Sequence, residues 1–198
     1  MSMRLAVITD PEFRPDETEI IPRLLGEGID RVHLRKPGAT EADLRHLIES
    51  LPATLYPRLT LHDNLSLAVE YGLGGVHLNR RNPEPPAVFR GMVSRSCHSL
   101  DEVSACRGVD YLFLSPIFDS ISKSGYRAAF SVAVLRDAAA QGLLGPRVWA
   151  LGGVRPDLLP QVRAYGFGGA ALLGCIWQDT STQGLRRTLH DLQNYRKI

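Results

Sequence analysis

The run Ser115-Pro-Ile-Phe-Asp-Ser-Ile-Ser-Lys-Ser-Gly125 follows directly on the apolar stretch Asp110-Tyr-Leu-Phe-Leu114. The hydroxyls of Ser120 and Ser122 and the ammonium of Lys123 are donors suited to phosphate oxygens, and Gly125 lets backbone approach closely. A loop of this composition at the end of a buried strand has the chemistry of an anion grip. Serine- and glycine-rich loops are commonly plain connections, so the reading depends on what gathers beside it.

Four of the six histidines, His33, His62, His77 and His98, stand at the ends of short apolar runs. Their neighbours are Arg35 and Lys36, Asp63 and Asn64, Asn79 with Arg80 and Arg81, and Ser96. Side chains alternate along a strand, so His33 shares a face with Arg35, His77 with Asn79, and Ser96 with His98. Cationic groups around one carboxylate fit a phosphorylated ligand, and Asp63 offers a hard oxygen suited to magnesium. Two glycine turns, Gly152-Gly153 and Gly174, close later apolar runs where free backbone N–H groups can meet an anion.

These residues need a frame that brings strand ends together. Candidate strands are Arg4 to Thr9, Arg31 to Arg35, Arg58 to His62, Gly75 to Asn79, Val93 to His98, Asp110 to Ser115, Arg147 to Leu151 and Gly169 to Leu173. Helical spacing falls between them near 16–27, 40–51, 64–71, 99–106, 131–141, 156–165 and 182–196, with a short proline-rich passage between the fourth and fifth strands. Thr40-Glu-Ala-Asp43 and Ser99-Leu-Asp-Glu102 have capping-box spacing. Alternation of strand and helix predicts parallel pairing through right-handed crossovers, which gives an open doubly wound sheet or a closed barrel. Eight strands favour an α/β (β/α)8 TIM barrel, compact and filling residues 1–198 as one domain. In that fold these strand ends converge on one face.

The 198-residue chain is 44% hydrophobic and 22% charged, the composition of an ordinary globular domain. A net charge of +2 gives no dominant field, which argues against nucleic acid or a membrane surface as partner. Cys97, Cys106 and Cys175 lack metal-type spacing and are odd in number, so they read as buried thiols rather than a disulfide framework. No apolar run approaches the length of a membrane span, and acidic residues come too early for a signal peptide, which predicts a cytoplasmic protein.

In order along the chain, VHLRKPGATEADL, LHDNLSLAVEYGLGGVHL, DYLFLSPIF with SKSG, and VWALGGV resemble the motifs of the thiamine phosphate synthase superfamily, which includes a thiazole tautomerase branch. The resemblance implies a transferase of thiamine biosynthesis that joins hydroxymethylpyrimidine diphosphate to thiazole phosphate and releases pyrophosphate, with magnesium as cofactor. Carried onto matching positions, it implies that Arg35 and Lys123 hold diphosphate and Asp63 ligates magnesium. Ser96, Ser120 and Ser122 would donate to phosphates or the pyrimidine, and Gly153 would receive the thiazole phosphate. His33, His62, Asn64, Gly152 and Gly174 complete the candidate substrate-binding set. His98 joins Arg35 and Lys123 as a candidate catalytic group.

The chain also departs from the family pattern. A glutamine of the family is His33 here, its glutamate and lysine fall at Lys36 and Pro37, and an asparagine is His62. The second acidic magnesium ligand aligns with Asn82, and a serine after the eighth strand aligns with Gly174. Losing a carboxylate while gaining Arg80 and Arg81 shifts weight from metal toward direct phosphate contact. Arg95-Ser-Cys-His-Ser-Leu-Asp-Glu102 resembles a phrase of the tautomerase branch, whose own histidine aligns with Pro116. Thiazole tautomerase is therefore the alternative activity, with His98, His62 or His33 as proton carrier, and a noncatalytic binder of thiamine-related phosphates is the third. Oligomeric assembly stays open.

Overall fold

The computed structural model describes residues 3–119 and 127–197. Eight parallel strands close into a barrel in sequence order. They are β1 (Arg4–Ile8), β2 (Arg31–Leu34), β3 (Leu59–Leu61), β4 (Gly75–Leu78), β5 (Met92–Cys97), β6 (Tyr111–Leu114), β7 (Val148–Ala150) and β8 (Gly169–Leu172). Closure is made by β1 against β8, with Arg4 opposite Gly169 and Val7 opposite Leu172. Around the barrel lie α1 (Glu17–Gly26), α2 (Glu41–Glu49), α3 (Ser66–Glu70), α4 (Leu100–Ala105), α5 (Val132–Ala140), α6 (Leu159–Ala164), α7 (Gly174–Trp177) and α8 (Thr182–Lys197). No helix joins β4 to β5, where the segment 79–91 carries three prolines that disfavour a helix interior.

The expected elements are present, most with ends a residue or two shorter, while β5 starts one residue earlier and α8 runs one residue longer. Three local departures occur. The helix expected over 156–165 begins as a 3-10 turn at Pro156–Leu158, a 3-10 segment covers Ala53–Arg58, and α7 inserts one extra turn after β8. Thr40 and Asp43 form the full reciprocal capping box at α2. At α4 only half of the box forms. The Ser99 hydroxyl accepts from the Glu102 backbone N–H, while the Glu102 carboxylate accepts from the His98 backbone N–H, 2.6 Å away.

Period two divides the strand residues between two cores. Outward positions such as Leu5, Val7, Val32, Leu34, Leu61, Val76, Leu112 and Leu172 join the helices in the main hydrophobic layer. A smaller apolar cluster fills the interior from Ala6 and Ile8 on β1, Tyr111 and Phe113 on β6, Trp149 on β7 and Ala171 on β8. Tyr111 and Trp149 stack there with centroids 4.4 Å apart. Gly169 makes room for this stack, since a Cβ on it would lie 2.6 Å from the Trp149 ring. The other half of the interior is polar, from Arg31, His33, Thr60, His62, His77 and Ser94, all buried. Arg31 donates to the Leu59 carbonyl and to the Thr60 hydroxyl, each 3.2 Å away. The seam between β8 and β1 is pinned by Trp177 on α7, whose indole N–H donates to the Ile8 carbonyl at 2.8 Å.

Candidate active site

A cavity of about 760 Å³ opens at the carboxyl ends of the strands, the end where this fold carries its sites. It brings together Arg35, His62, Asp63, Ser96 and His98 of the sequence-derived set. Arg80, Arg81 and Arg95 also line it, so four guanidinium groups face one space. Arg95 was not a sequence candidate, because its position on β5 alternates with Ser94 and Ser96 and points away from the barrel axis. It reaches the cavity because the 79–91 loop folds over it, and its guanidinium donates to the Pro83 carbonyl at 2.9 Å. Glu102, Cys97 and Cys106 complete the wall beside α4; none was a site candidate, although Cys97 and Glu102 stand in the 95–102 phrase that resembles the tautomerase branch. Burial pushes the Cys97 thiol up to about 12, so it stays protonated.

Arg35 is held by its backbone. Its N–H donates to the Thr9 hydroxyl at 2.9 Å, and that hydroxyl donates to the Arg35 carbonyl at 3.1 Å. The buried Thr9 thus locks the end of β2 to the end of β1.

Beneath the cavity lies a histidine network. His33 is fully enclosed, with Nδ1 2.9 Å from His62 Nε2 and Nε2 2.8 Å from the Tyr111 hydroxyl. His33 therefore supports the floor and does not reach the cavity, in contrast to its expected place among substrate contacts. His77 hydrogen-bonds Ser94 through Nδ1 at 2.8 Å and Ser96 through Nε2 at 2.9 Å. Burial, followed by neighbouring positive charge, holds His33 and His62 well below the usual histidine range and His77 down at about 3. All three are neutral near pH 7. The chain Tyr111–His33–His62 has two self-consistent proton orders, one running in each direction.

Ligand atoms of His33, His62 and His77 lie within 4.8 Å of one another. They do not form a metal cage. Two imidazoles on one tetrahedral metal stand about 3.3 Å apart at ordinary bond lengths, whereas His33 and His62 share a hydrogen bond at 2.9 Å. His62 and His77 are stacked at 4.1 Å with 20° between planes, so their in-plane lone pairs do not converge.

Asp63 is the carboxylate at the ends of β3 and β4, across the cavity lining from Glu102 on α4. Its Oδ1 accepts from Arg81 Nη2 at 2.7 Å and Nε at 3.0 Å, and from the amides of Asn82 at 3.3 Å and Asn79 at 3.5 Å. Its Oδ2 is buried and has no hydrogen-bond partner. A buried carboxylate oxygen left unpaired is costly, and a hard cation is the partner that suits it. This donor fits magnesium through a single carboxylate, with Asn82 beside it where a second acid was expected.

His98 is exposed at the rim, with Nδ1 3.2 Å from the Ser115 carbonyl. Asn64 adopts left-handed φ of 51° and its carbonyl accepts from Leu67 at the start of α3, outside the cavity lining. Gly152 and Gly153 sit under the β6 loop, where Phe118 N–H donates to the Gly152 carbonyl at 3.0 Å. Gly153 has φ of +66°, and a Cβ there would lie 2.3 Å from the Asp119 carbonyl oxygen. Gly174 opens α7. Neither the paired glycines nor Gly174 lines the cavity among the described residues. Ser120, Ser122 and Lys123 lie outside the described residues.

Residues 5–176 match the family model described as thiamine monophosphate synthase. A putative thiamine-phosphate synthase of Geobacter sulfurreducens is 28% identical over 185 residues, 88% of this chain and 85% of the relative. A thiamine-phosphate synthase of Thermus thermophilus is 37% identical over 108 residues, 52% of this chain and 51% of the relative. The crystal structure of a thiamine phosphate pyrophosphorylase from Bacteroides thetaiotaomicron superimposes with a TM-score of 0.87 at 34% identity, covering 98% of both chains.

Proposed function

Because the chain belongs to the thiamine monophosphate synthase family, we propose that it joins hydroxymethylpyrimidine diphosphate to thiazole phosphate and releases pyrophosphate. The observation that carries this reading is the cavity itself, whose lining gathers Arg35, Arg80, Arg81 and Arg95 against two carboxylates, Asp63 and Glu102. Such a site stabilises a leaving diphosphate. Positioned positive charge lowers the barrier to its departure, and no covalent nucleophile is needed.

In this reading Arg35 and Lys123 hold the diphosphate, and Ser96, Ser120 and Ser122 donate to its oxygens or to the pyrimidine. Magnesium, held through Asp63 Oδ2, would neutralise charge on the departing group. His62 meets the pyrimidine from below as a neutral ring, braced by His33, while Asn64 orders the loop that carries Asp63. Gly152, Gly153 and Gly174 shape the turns that receive the thiazole phosphate. The site is carried by one barrel domain, whose state of assembly stays open, and the protein works in the cytoplasm on small phosphorylated substrates. Among the described residues no helix is long and apolar enough to cross a membrane.

Thiazole tautomerase is the second reading, favoured by one observation, the exposed His98 at the cavity rim. One assay separates the two. Purified protein is given pyrimidine diphosphate, thiazole phosphate and magnesium, and pyrophosphate and thiamine phosphate are followed together. Equal yields of both products support the synthase, and folded protein that forms neither excludes it.

A further inference from the structure

Asp63 is paired in an unsymmetrical way. Both Arg81 contacts, at 2.7 and 3.0 Å, fall on Oδ1, and both asparagine amides point at the same atom. Oδ2 is buried and has no hydrogen-bond partner. A guanidinium matches a carboxylate or phosphate best when two N–H groups meet two oxygens, so Arg81 is held here by half of its capacity. Its backbone is fixed, since its N–H donates to Asn79 Oδ1 at 2.9 Å. The side chain is 67% exposed, against 17% for Asp63. An ion pair with so wet a partner is weakly held.

We propose that Arg81 is the resident counter-ion of Asp63 and that a diphosphate draws it away, so that the anion and magnesium enter the cavity cooperatively. The inference rests on the reading of this cavity as a diphosphate and magnesium site. Before the anion arrives, a cation approaching Asp63 meets a neutralised carboxylate among Arg35, Arg80 and Arg95, which repel it. A diphosphate offers Arg81 a two-oxygen partner and brings negative charge to those guanidinium groups. Asp63 then presents its full charge to the metal. Each ligand removes a cost that the other would meet alone, and by linkage the coupling is reciprocal. Asn82, standing where a second acid was expected, leaves Arg81 as the group that sets the charge of the metal site.

Calorimetry on the full chain tests this without turnover. With magnesium alone, Arg81→Met is expected to bind about tenfold more tightly than wild type, an ordinary coupling between sites. Adding Asp63→Asn to Arg81→Met abolishes that gain. With inorganic pyrophosphate in EDTA, Asp63→Asn tightens binding when Arg81 is present and has a smaller effect when residue 81 is Met. The exposed Arg81 side chain makes folded variants the expectation, and Arg81→Gln serves as a second neutral replacement. Equal magnesium affinity in wild type and both neutral variants overturns the proposal. So does absence of detectable magnesium binding to them, or an Asp63→Asn effect on pyrophosphate that ignores residue 81. If coupling is found but no thiamine phosphate forms, the synthase reading fails and the coupling stands. If synthesis proceeds with magnesium affinity indifferent to residue 81, the reverse holds.

Discussion

Lys36 Nζ lies 2.5 Å from Glu17 Oε1, and both side chains are 1% exposed. The ammonium also donates to the carbonyls of Asp10 at 2.9 Å and Glu12 at 2.6 Å, so one side chain at the end of β2 ties down the whole β1–α1 loop. Burial lowers the lysine and raises the glutamate from their usual values, opposed in each case by the partner. Breaking such a pair leaves one buried charge alone. Lys36→Met should therefore cost about 3–5 kcal/mol of stability, while Lys36→Met with Glu17→Met should recover most of it. Denaturant unfolding of the three proteins checks this, and an additive double variant contradicts it.

The buried histidines set the acid limb of stability. In the unfolded chain each takes up a proton as pH falls below about 6.5. The folded barrel does not, since burial holds His33 and His62 well below that range and His77 at about 3. The unfolded state then binds more protons, so stability is at its plateau above pH 6.5 and falls on acidification. The slope is about 1.4 kcal/mol per pH unit for each histidine kept neutral. Thermal melts between pH 4.5 and 7.5 should show the decline, with a shallower slope in His77→Gln. An unchanged slope in that variant would assign the acid sensitivity elsewhere.

Arg35 is predicted to act on the reaction rather than on the fold, because Thr9 holds its backbone whatever the side chain. Arg35→Ala should lower kcat of the synthase by about a hundredfold or more with little change in Tm. Steady-state kinetics beside a melt decides it, and a matching loss of Tm would make Arg35 structural.

Asp63→Ala and Lys123→Ala should each abolish diphosphate-dependent turnover while leaving circular dichroism unchanged. Pyrophosphate release at wild-type rate in both would sink the site assignment.

Gly153 is held to glycine by the backbone around it. With φ of +66° and a virtual Cβ 2.3 Å from the Asp119 oxygen, Gly153→Ala should cost about 1–3 kcal/mol by pushing the β6 loop off the end of β7. Chemical denaturation measures the loss, and a neutral substitution would show that the loop yields freely.

Strand positions were legible to within about a residue because each strand of a parallel barrel is a short apolar run between polar segments. The capping box at Thr40 was equally plain, since it is local chemistry. Short turns were not. Ala53–Arg58 and Gly174–Trp177 carry no periodicity over so few residues. The site divided in the same way. Arg35, His62, Asp63, Ser96 and His98 could be named from their place at strand ends, whereas Arg95 enters the cavity only because a proline-rich loop folds across it. His33 shows the reverse case. Period two correctly turns it inward, but its depth depends on Tyr111 and His62, and Tyr111 is 78 residues away in sequence.

The chain contains two tryptophans, and their placement makes the barrel its own optical instrument. Trp149 is stacked on Tyr111 in the interior, while Trp177 is bonded across the junction where last strand meets first. Emission from one indole follows interior packing, and emission from the other follows completion of the ring. With Trp149→Phe and Trp177→Phe as single-emitter proteins, refolding traces can reveal whether the cylinder fills before it closes.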